Sequence, residues 1–102
     1  MYTIEYLPIA RRDMVDIAKY IGVKLANPDA AERLAEKMIE AAEKLTDMPY
    51  KCPMYIPVKP LRHEYRKLIV QNYIMFYWVD EDKKLITIAR VVYSGRDYEN
   101  LL

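Results

Sequence analysis

The 102 residues suffice for one domain with a single core and leave no room for a second. A hydrophobic share of 53% and a charged share of 30% exclude a disordered chain, and no apolar run approaches the length of a membrane span. The net charge of +1 excludes a bulk polycation, while a single cysteine, Cys52, excludes a disulfide framework and a thiolate metal cluster.

The charge is unevenly placed. Residues 1–50 carry seven Lys/Arg and nine Asp/Glu, whereas residues 51–102 carry nine and six. The densest stretch, 51–67, holds Lys51, Lys59, Arg62, Arg66 and Lys67 against Glu64 alone, with His63 beside them. Such a strip attracts a polyanion or an acidic partner, and it is equally consistent with a solvated loop. Ten tyrosines against one Phe and one Trp are a surplus suited both to half-buried sheets and to contact surfaces.

"YTIEY" alternates apolar and polar residues and predicts a short first strand. Its surroundings, "MYTIEYLPIARRDM", lack the layout of a secretory signal, so the expected compartment is a reducing cytoplasm. Pro8 starts a helix at a position where its missing N–H costs nothing. Ala10, Met14, Ile17, Ala18, Ile21 and Leu25 recur at three- and four-residue steps and form its apolar stripe. Asn27 caps and Pro28 opens a second helix, with Ala31, Leu34, Met38, Ala41, Ala42 and Leu45 repeating the pattern. So short a junction makes the pair an antiparallel hairpin.

"MPYKCPMYIPVKP" holds Pro49, Pro53, Pro57 and Pro60, which excludes a helix or a central strand and predicts an extended, ordered loop. Strand-like runs follow at 64–70, 73–79 and 84–93, joined by Gln71-Asn72 and by "DEDK" at 80–83. The fold class is therefore α+β in the order β-α-α-β-β-β, a helical hairpin packed on an antiparallel sheet. Facing Val70 with Tyr73 and Val79 with Lys84 places Arg66, Leu68, Val70, Tyr73, Met75, Tyr77, Ile86, Ile88 and Arg90 on one sheet face. Tyr65, Lys67, Ile69, Ile74, Phe76, Trp78, Leu85, Ala89, Val91 and Tyr93 fall on the other. The hairpin covers one of these apolar faces, and nothing in the chain obviously covers the second. Ile69, Ile74, Phe76, Trp78 and Val91 are accordingly expected to form an exposed docking surface.

Several chemistries lack their parts. Gly22 and Gly95 stand alone, so there is no phosphate loop, and His63 is the only histidine. Neither a metal nor an organic cofactor is expected. A triad of Ser94, His63 and Asp97 carries little weight when each candidate is simply the one Ser or His available. What remains is basic: Arg62, Arg66, Lys67, Arg90 and Arg96 with tyrosines interleaved, able to hold phosphates, an oxyanion or an acidic protein surface.

The element order, with "ANPDAAERL", "EYRKLIV", "NYIMFYWVDEDKKLITIARV" and "YSGRDYENLL", resembles the RelE/ParE superfamily of bacterial toxins along essentially the whole chain. The resemblance implies the toxin of a type II toxin–antitoxin (plasmid stabilisation) module, held silent by an antitoxin that wraps it. RelE-type members cut mRNA in the ribosomal A site without a metal, using Lys, Arg and a tyrosine. ParE-type members act on DNA gyrase. RelE-type nucleases place an arginine after the tyrosine of the middle strand, and here Ile74 follows Tyr73. "YIMFY" and "RVVYSGRD" are similar to the ParE-type pattern, with Tyr93 at the position of a family histidine. The expected target is thus gyrase, with the ribosome and mRNA as the alternative and an antitoxin-binding remnant without toxicity as a third reading.

Under the RelE-type alternative the candidate catalytic residues are Lys67, Arg66, Arg96 and Tyr98, with Arg66 standing in for the missing arginine. Target or antitoxin contact is expected at Arg62, Ile69, Ile74, Phe76, Trp78, Arg90, Val91 and Tyr93. Purely structural roles remain open for two arginines: Arg90 as an anchor for the tail, and Arg96 as a partner of Asp97 or Glu99. Gly95 is expected to permit a backbone bend that other residues resist.

Overall fold

The computed structural model describes residues 1–102. Its elements are β1 (Thr3–Tyr6), α1 (Pro8–Lys19), α2 (Pro28–Lys44), β2 (Arg66–Val70), β3 (Tyr73–Asp80) and β4 (Leu85–Tyr93). Both helices open with proline at the start, and the Asn27 side chain accepts the Ala30 N–H at 3.2 Å. The expected first helix is one turn too long. After Lys19 the chain loosens into a π turn at Tyr20–Lys24 and passes through Ala26 at φ 50°, which leaves Leu25 outside the apolar stripe and 56% exposed. No helix is long and apolar enough to cross a membrane.

The strands lie in the order β1-β4-β3-β2. β2, β3 and β4 form the antiparallel meander, and β1 joins the free edge of β4 in parallel, so the sheet is mixed rather than wholly antiparallel. Val70 pairs with Tyr73 as expected, across a turn with Gln71 at φ 54°. The second turn differs from expectation: Asp80 pairs with Leu85 and Val79 with Ile86. The Asp80 carboxylate accepts the Lys83 N–H at 3.1 Å and Lys84 turns left-handed at φ 52°, so all four residues 81–84 are spent in the turn.

A bulge then resets the faces. Tyr77 pairs with Ile88 but Phe76 pairs with Arg90, which leaves Ala89 as the extra residue in β4. One extra residue exchanges the two faces for everything beyond it. Val91 therefore lies in the helix-side core, where the unbulged register had it on the opposite face, and Tyr93 meets Tyr73 on the helix side.

Two cores result. Ala10, Leu34, Met38, Ala42 and Leu45 of the helical layer pack on Leu68, Met75, Tyr77, Ile86, Ile88 and Val91. On the other side Tyr55, Tyr65, Ile74, Phe76, Ala89 and Val92 form a second cluster, closed by Leu7, Leu61, Trp78, Tyr98, Leu101 and Leu102. This overturns the expectation of an uncovered face: Phe76 is fully buried and Ile74 is 4% exposed, whereas Ile69 alone stays open at 62%.

The cover comes from the proline loop and the tail. The loop runs antiparallel beside β2, with Tyr55 N–H donating to the Tyr65 carbonyl at 2.8 Å and Lys67 N–H donating to the Pro53 carbonyl at 3.0 Å. Pro53 needs only its carbonyl there, so proline is tolerated at the sheet edge. Tyr55 then sets its ring against Phe76, with centroids 5.4 Å apart, and burying each such side chain contributes roughly 1.5–3 kcal/mol.

Candidate functional site

The C-terminal end of β4 meets the exposed flank of α1. Asp13, Asp16, Ile17 and Tyr20 recur at three- and four-residue steps and so share one side of that helix and its π turn. Tyr73, Val91 and Tyr93 approach from the sheet and Arg96 from the turn, enclosing a cleft of about 620 Å³. The bulge matters here, because it carries Val91 and Tyr93 to this side.

Asp13 builds the back of the cleft. Its carboxylate accepts from Arg90 Nε at 2.8 Å, from Arg90 Nη2 at 3.0 Å and from the Val91 N–H at 2.9 Å. Both side chains are only 13% exposed, and Asp13 pushes the Arg90 guanidinium pKa up by accepting its hydrogen bonds. Arg90 Nη1 also donates to the Leu101 carbonyl at 3.2 Å. Arg90 thus anchors the tail, the structural role left open by the sequence, and it presents little to a partner.

The Tyr73 and Tyr93 rings meet edge to face, with centroids 6.0 Å apart. Burial pushes the Tyr73 phenol up, reinforced by the nearby Tyr20 and Tyr93. Gly95 acts by close approach rather than by an unusual bend. Its φ is not positive, and a Cβ there would lie 2.5 Å from Tyr93 Cε2, so only glycine lets the Tyr93 ring fold over the turn. Arg96 is exposed and forms no ion pair with Asp97 or Glu99, whose contact is instead a backbone N–H of Glu99 on Asp97 at 3.4 Å.

The candidate catalytic residues do not converge. Arg66 is spent on the loop, donating to the carbonyls of Cys52 at 2.7 Å and Tyr50 at 3.2 Å, with Glu64 3.8 Å away. Lys67 pairs opposite Phe76 on the side away from α1 and α2. Tyr98 packs into the second core with ring centroids 5.2 Å from Phe76 and 5.9 Å from Tyr55, while Arg96 lines the cleft on the helix side. Of the expected contact residues, Arg62, Ile69 and Tyr93 are exposed and Trp78 is half-buried, whereas Ile74, Phe76 and Val91 are buried within the protein.

Three features escaped the sequence reading. Asp13 had a legible signal, since a carboxylate three residues after the buried Ala10 falls on the apolar stripe and requires a partner. Glu81 in the β3–β4 turn collects Tyr2 Oη at 2.7 Å, Tyr50 Oη at 2.5 Å and the Lys84 ammonium. These donors hold its carboxyl down at about 2, with Lys84 the largest contributor, and Glu81 in turn pushes the Tyr50 phenol up to about 12. The third is a stack of His63 on Trp78, centroids 3.7 Å apart and planes nearly parallel, with Tyr65 edge-on to both. No sequence spacing announces it.

Residues 4–98 match the family model described as ParE toxin of type II toxin–antitoxin system, parDE. No curated protein sequence matches the chain. Among solved structures, the chromosomal ParDE system from P. aeruginosa superposes with a TM-score of 0.71 at 18% identity, over 91% of this chain and 96% of that one. The RelBE2 toxin–antitoxin complex from Mycobacterium tuberculosis gives 0.62 at 23% identity, over 90% and 96%. The archaeal RelE–RelB complex from Pyrococcus horikoshii OT3 also gives 0.62, at 15% identity over 94% and 98%. At these identities the structural likeness is one of fold.

Proposed function

This chain belongs to the ParE toxin family of type II toxin–antitoxin systems, and from that premise we propose that it arrests growth by contact with DNA gyrase rather than by cleaving RNA. The toxin is silenced by binding an antitoxin. The observation that carries the reading is the residue after Tyr73: Ile74 is 4% exposed and apolar where a metal-free nuclease of this fold places a cation. The remaining cations do not replace it. Arg66 is tied to loop carbonyls, Arg90 to Asp13, and Arg96 and Lys67 lie on opposite sides of the sheet. Losing one electrostatic stabiliser of a transition state lowers a rate by about 10²–10³.

Contact in this reading falls to exposed groups. Arg96 and Tyr93 at the cleft are the groups offered to the target, and Arg62, Ile69 and the half-buried Trp78 are those offered to the antitoxin. The test compares purified toxin in a gyrase supercoiling assay with the same toxin on programmed ribosomes. Inhibited supercoiling, intact mRNA and loss of inhibition in Arg96→Ala are the expected results. Cleavage of A-site mRNA overturns the gyrase reading in favour of the nuclease alternative. A toxin that binds its antitoxin but is inert in both assays is a non-toxic remnant.

A further inference from the structure

We propose that the cleft between α1 and the end of β4 receives an arginine side chain of the protein target together with a carboxylate beside it. Asp16 and the tyrosine rings take the guanidinium, and Arg96 takes the carboxylate. The proposal rests on the gyrase reading for the identity of the partner, and on the cleft's own chemistry for what that partner presents.

Two charges of the cleft have no partner within the protein. Asp16 and Arg96 both line it, both are exposed, and neither takes part in an ion pair, even with the other. The carboxylate behind them, Asp13, is by contrast already taken by Arg90 and the Val91 N–H. The tyrosines are equally uncommitted. The hydroxyls of Tyr2, Tyr50 and Tyr77 are hydrogen-bonded within the protein, whereas those of Tyr20, Tyr73 and Tyr93 are not. Tyr20 and Tyr93 are 54% and 53% exposed, and Tyr93 is set against Tyr73 at an interplanar angle of 68°. Ile17 and Val91 supply apolar wall beside them. The cleft's volume of about 620 Å³ is within the range of about 300–1,000 Å³ usual for a site that encloses a bound group.

Elimination leaves one kind of occupant. An apolar plug would desolvate Asp16 and Arg96 and pair neither, which is costly. An anion alone would satisfy Arg96 and be repelled by Asp16. A cation alone would gain Asp16 and the negative faces of the tyrosine rings but meet Arg96 unshielded. A cation with a carboxylate close by satisfies every group at once. Arginine fits the cationic half better than lysine. Its planar guanidinium stacks on an aromatic face and forks onto a carboxylate in the same pose, while its stem lies along apolar wall such as Ile17 and Val91. Asp16 is fixed on α1 and Arg96 sits in the turn after β4, so the pair also sets the direction in which the partner's two charges must lie.

The first test needs no gyrase. The full chain, methyl-labelled, is titrated with blocked peptides that hold one Arg and one Glu up to about three alanines apart. Shifts at the Ile17, Val91 and Val92 methyls place binding in the cleft. Replacing the peptide's Arg by Lys should weaken binding severalfold and by neutral citrulline more than that. Asp16→Arg should weaken it roughly tenfold, and a peptide with Glu in place of its Arg should recover the loss on that variant, a rescue that a merely structural role for Asp16 would not give. Tyr20→Ala should cost about threefold to fivefold with the circular dichroism spectrum unchanged. The second test is supercoiling inhibition, which Asp16→Arg should lose as Arg96→Ala does. A parent toxin inert on gyrase defeats the gyrase reading; a parent that inhibits while Asp16→Arg inhibits equally well defeats this proposal alone. Peptide binding indifferent to Asp16→Arg, equal affinity for the citrulline peptide, or no shift at those methyls would each overturn it as well. Shifts produced there by the antitoxin, with inhibition by Asp16→Arg intact, would assign the cleft to the antitoxin instead.

Discussion

Removing the Asp13 carboxylate by Asp13→Ala tests the link between α1, β4 and the tail. The substitution deletes three acceptor contacts at once, leaving the Arg90 guanidinium and the Val91 N–H without their partner in a region where both side chains are 13% exposed. Breaking a buried pair from one side typically costs about 3–5 kcal/mol, because the remaining charge stays desolvated. That is a large part of the roughly 5–15 kcal/mol by which a domain of this kind is stable. Urea unfolding followed by circular dichroism should show the midpoint falling accordingly, with the slope unchanged. The double variant Asp13→Ala/Arg90→Met removes the stranded charge and should recover much of the loss, although the Leu101 contact of Arg90 goes with it. A single variant within about 1 kcal/mol of the parent, or a double variant no better than the single, would refute the claim that this pair is a desolvated clamp.

Phe76→Ala should destabilise the whole domain by about 3–5 kcal/mol in the same urea assay, because Phe76 is fully buried under the proline loop and tail. A variant that keeps its stability and loses only antitoxin affinity would instead make Phe76 a surface contact. Acid should act through Glu81, whose folded carboxyl lies near 2 against a usual 4.5. A depressed acid contributes stability that is present above about 4.5 and lost as pH falls towards 2, so the midpoint gap between parent and Glu81→Gln should narrow over that window. Tyr50, raised to about 12, gives the mirror image: its contribution is present below pH 10 and fades as pH climbs towards 12.

Local signals carried much of the fold. Proline at the first helical position, Asn27 as cap and the two apolar stripes place the hairpin, since each depends only on near neighbours in sequence. The meander followed from period-two alternation and from the Gln71-Asn72 turn. The failures all involve non-local pairing. Ala89 looks like any strand residue, so the bulge that moves Val91 and Tyr93 to the helix side has no sequence mark. The proline loop was legible as ordered but not as the lid of the second core, because that role depends on carbonyls of Pro53 and Tyr65 meeting N–H groups across the chain. Arg90 and Arg66 illustrate the same limit for the site: each is a cation in a basic region, and only three-dimensional partners separate a committed one from a free one.

That separation is what gives the surface its meaning. A count of basic residues over 51–67 treats five cations as equivalent, yet Arg66 spends its charge on two loop carbonyls and a nearby carboxylate. At the cleft, Arg90 and Asp13 cancel one another, and Arg96 is left as the unpaired cation of its lining. The two sides of the sheet therefore present different chemistry. One offers a single guanidinium beside tyrosine rings, a surface suited to a folded protein. The other offers the stacked His63–Trp78 pair, with Lys67 on the same face. The bulge at Ala89 is the device that keeps them distinct. It turns Tyr93 towards α1 while leaving Val92 in the core beneath the tail, so one strand serves both surfaces without mixing their side chains.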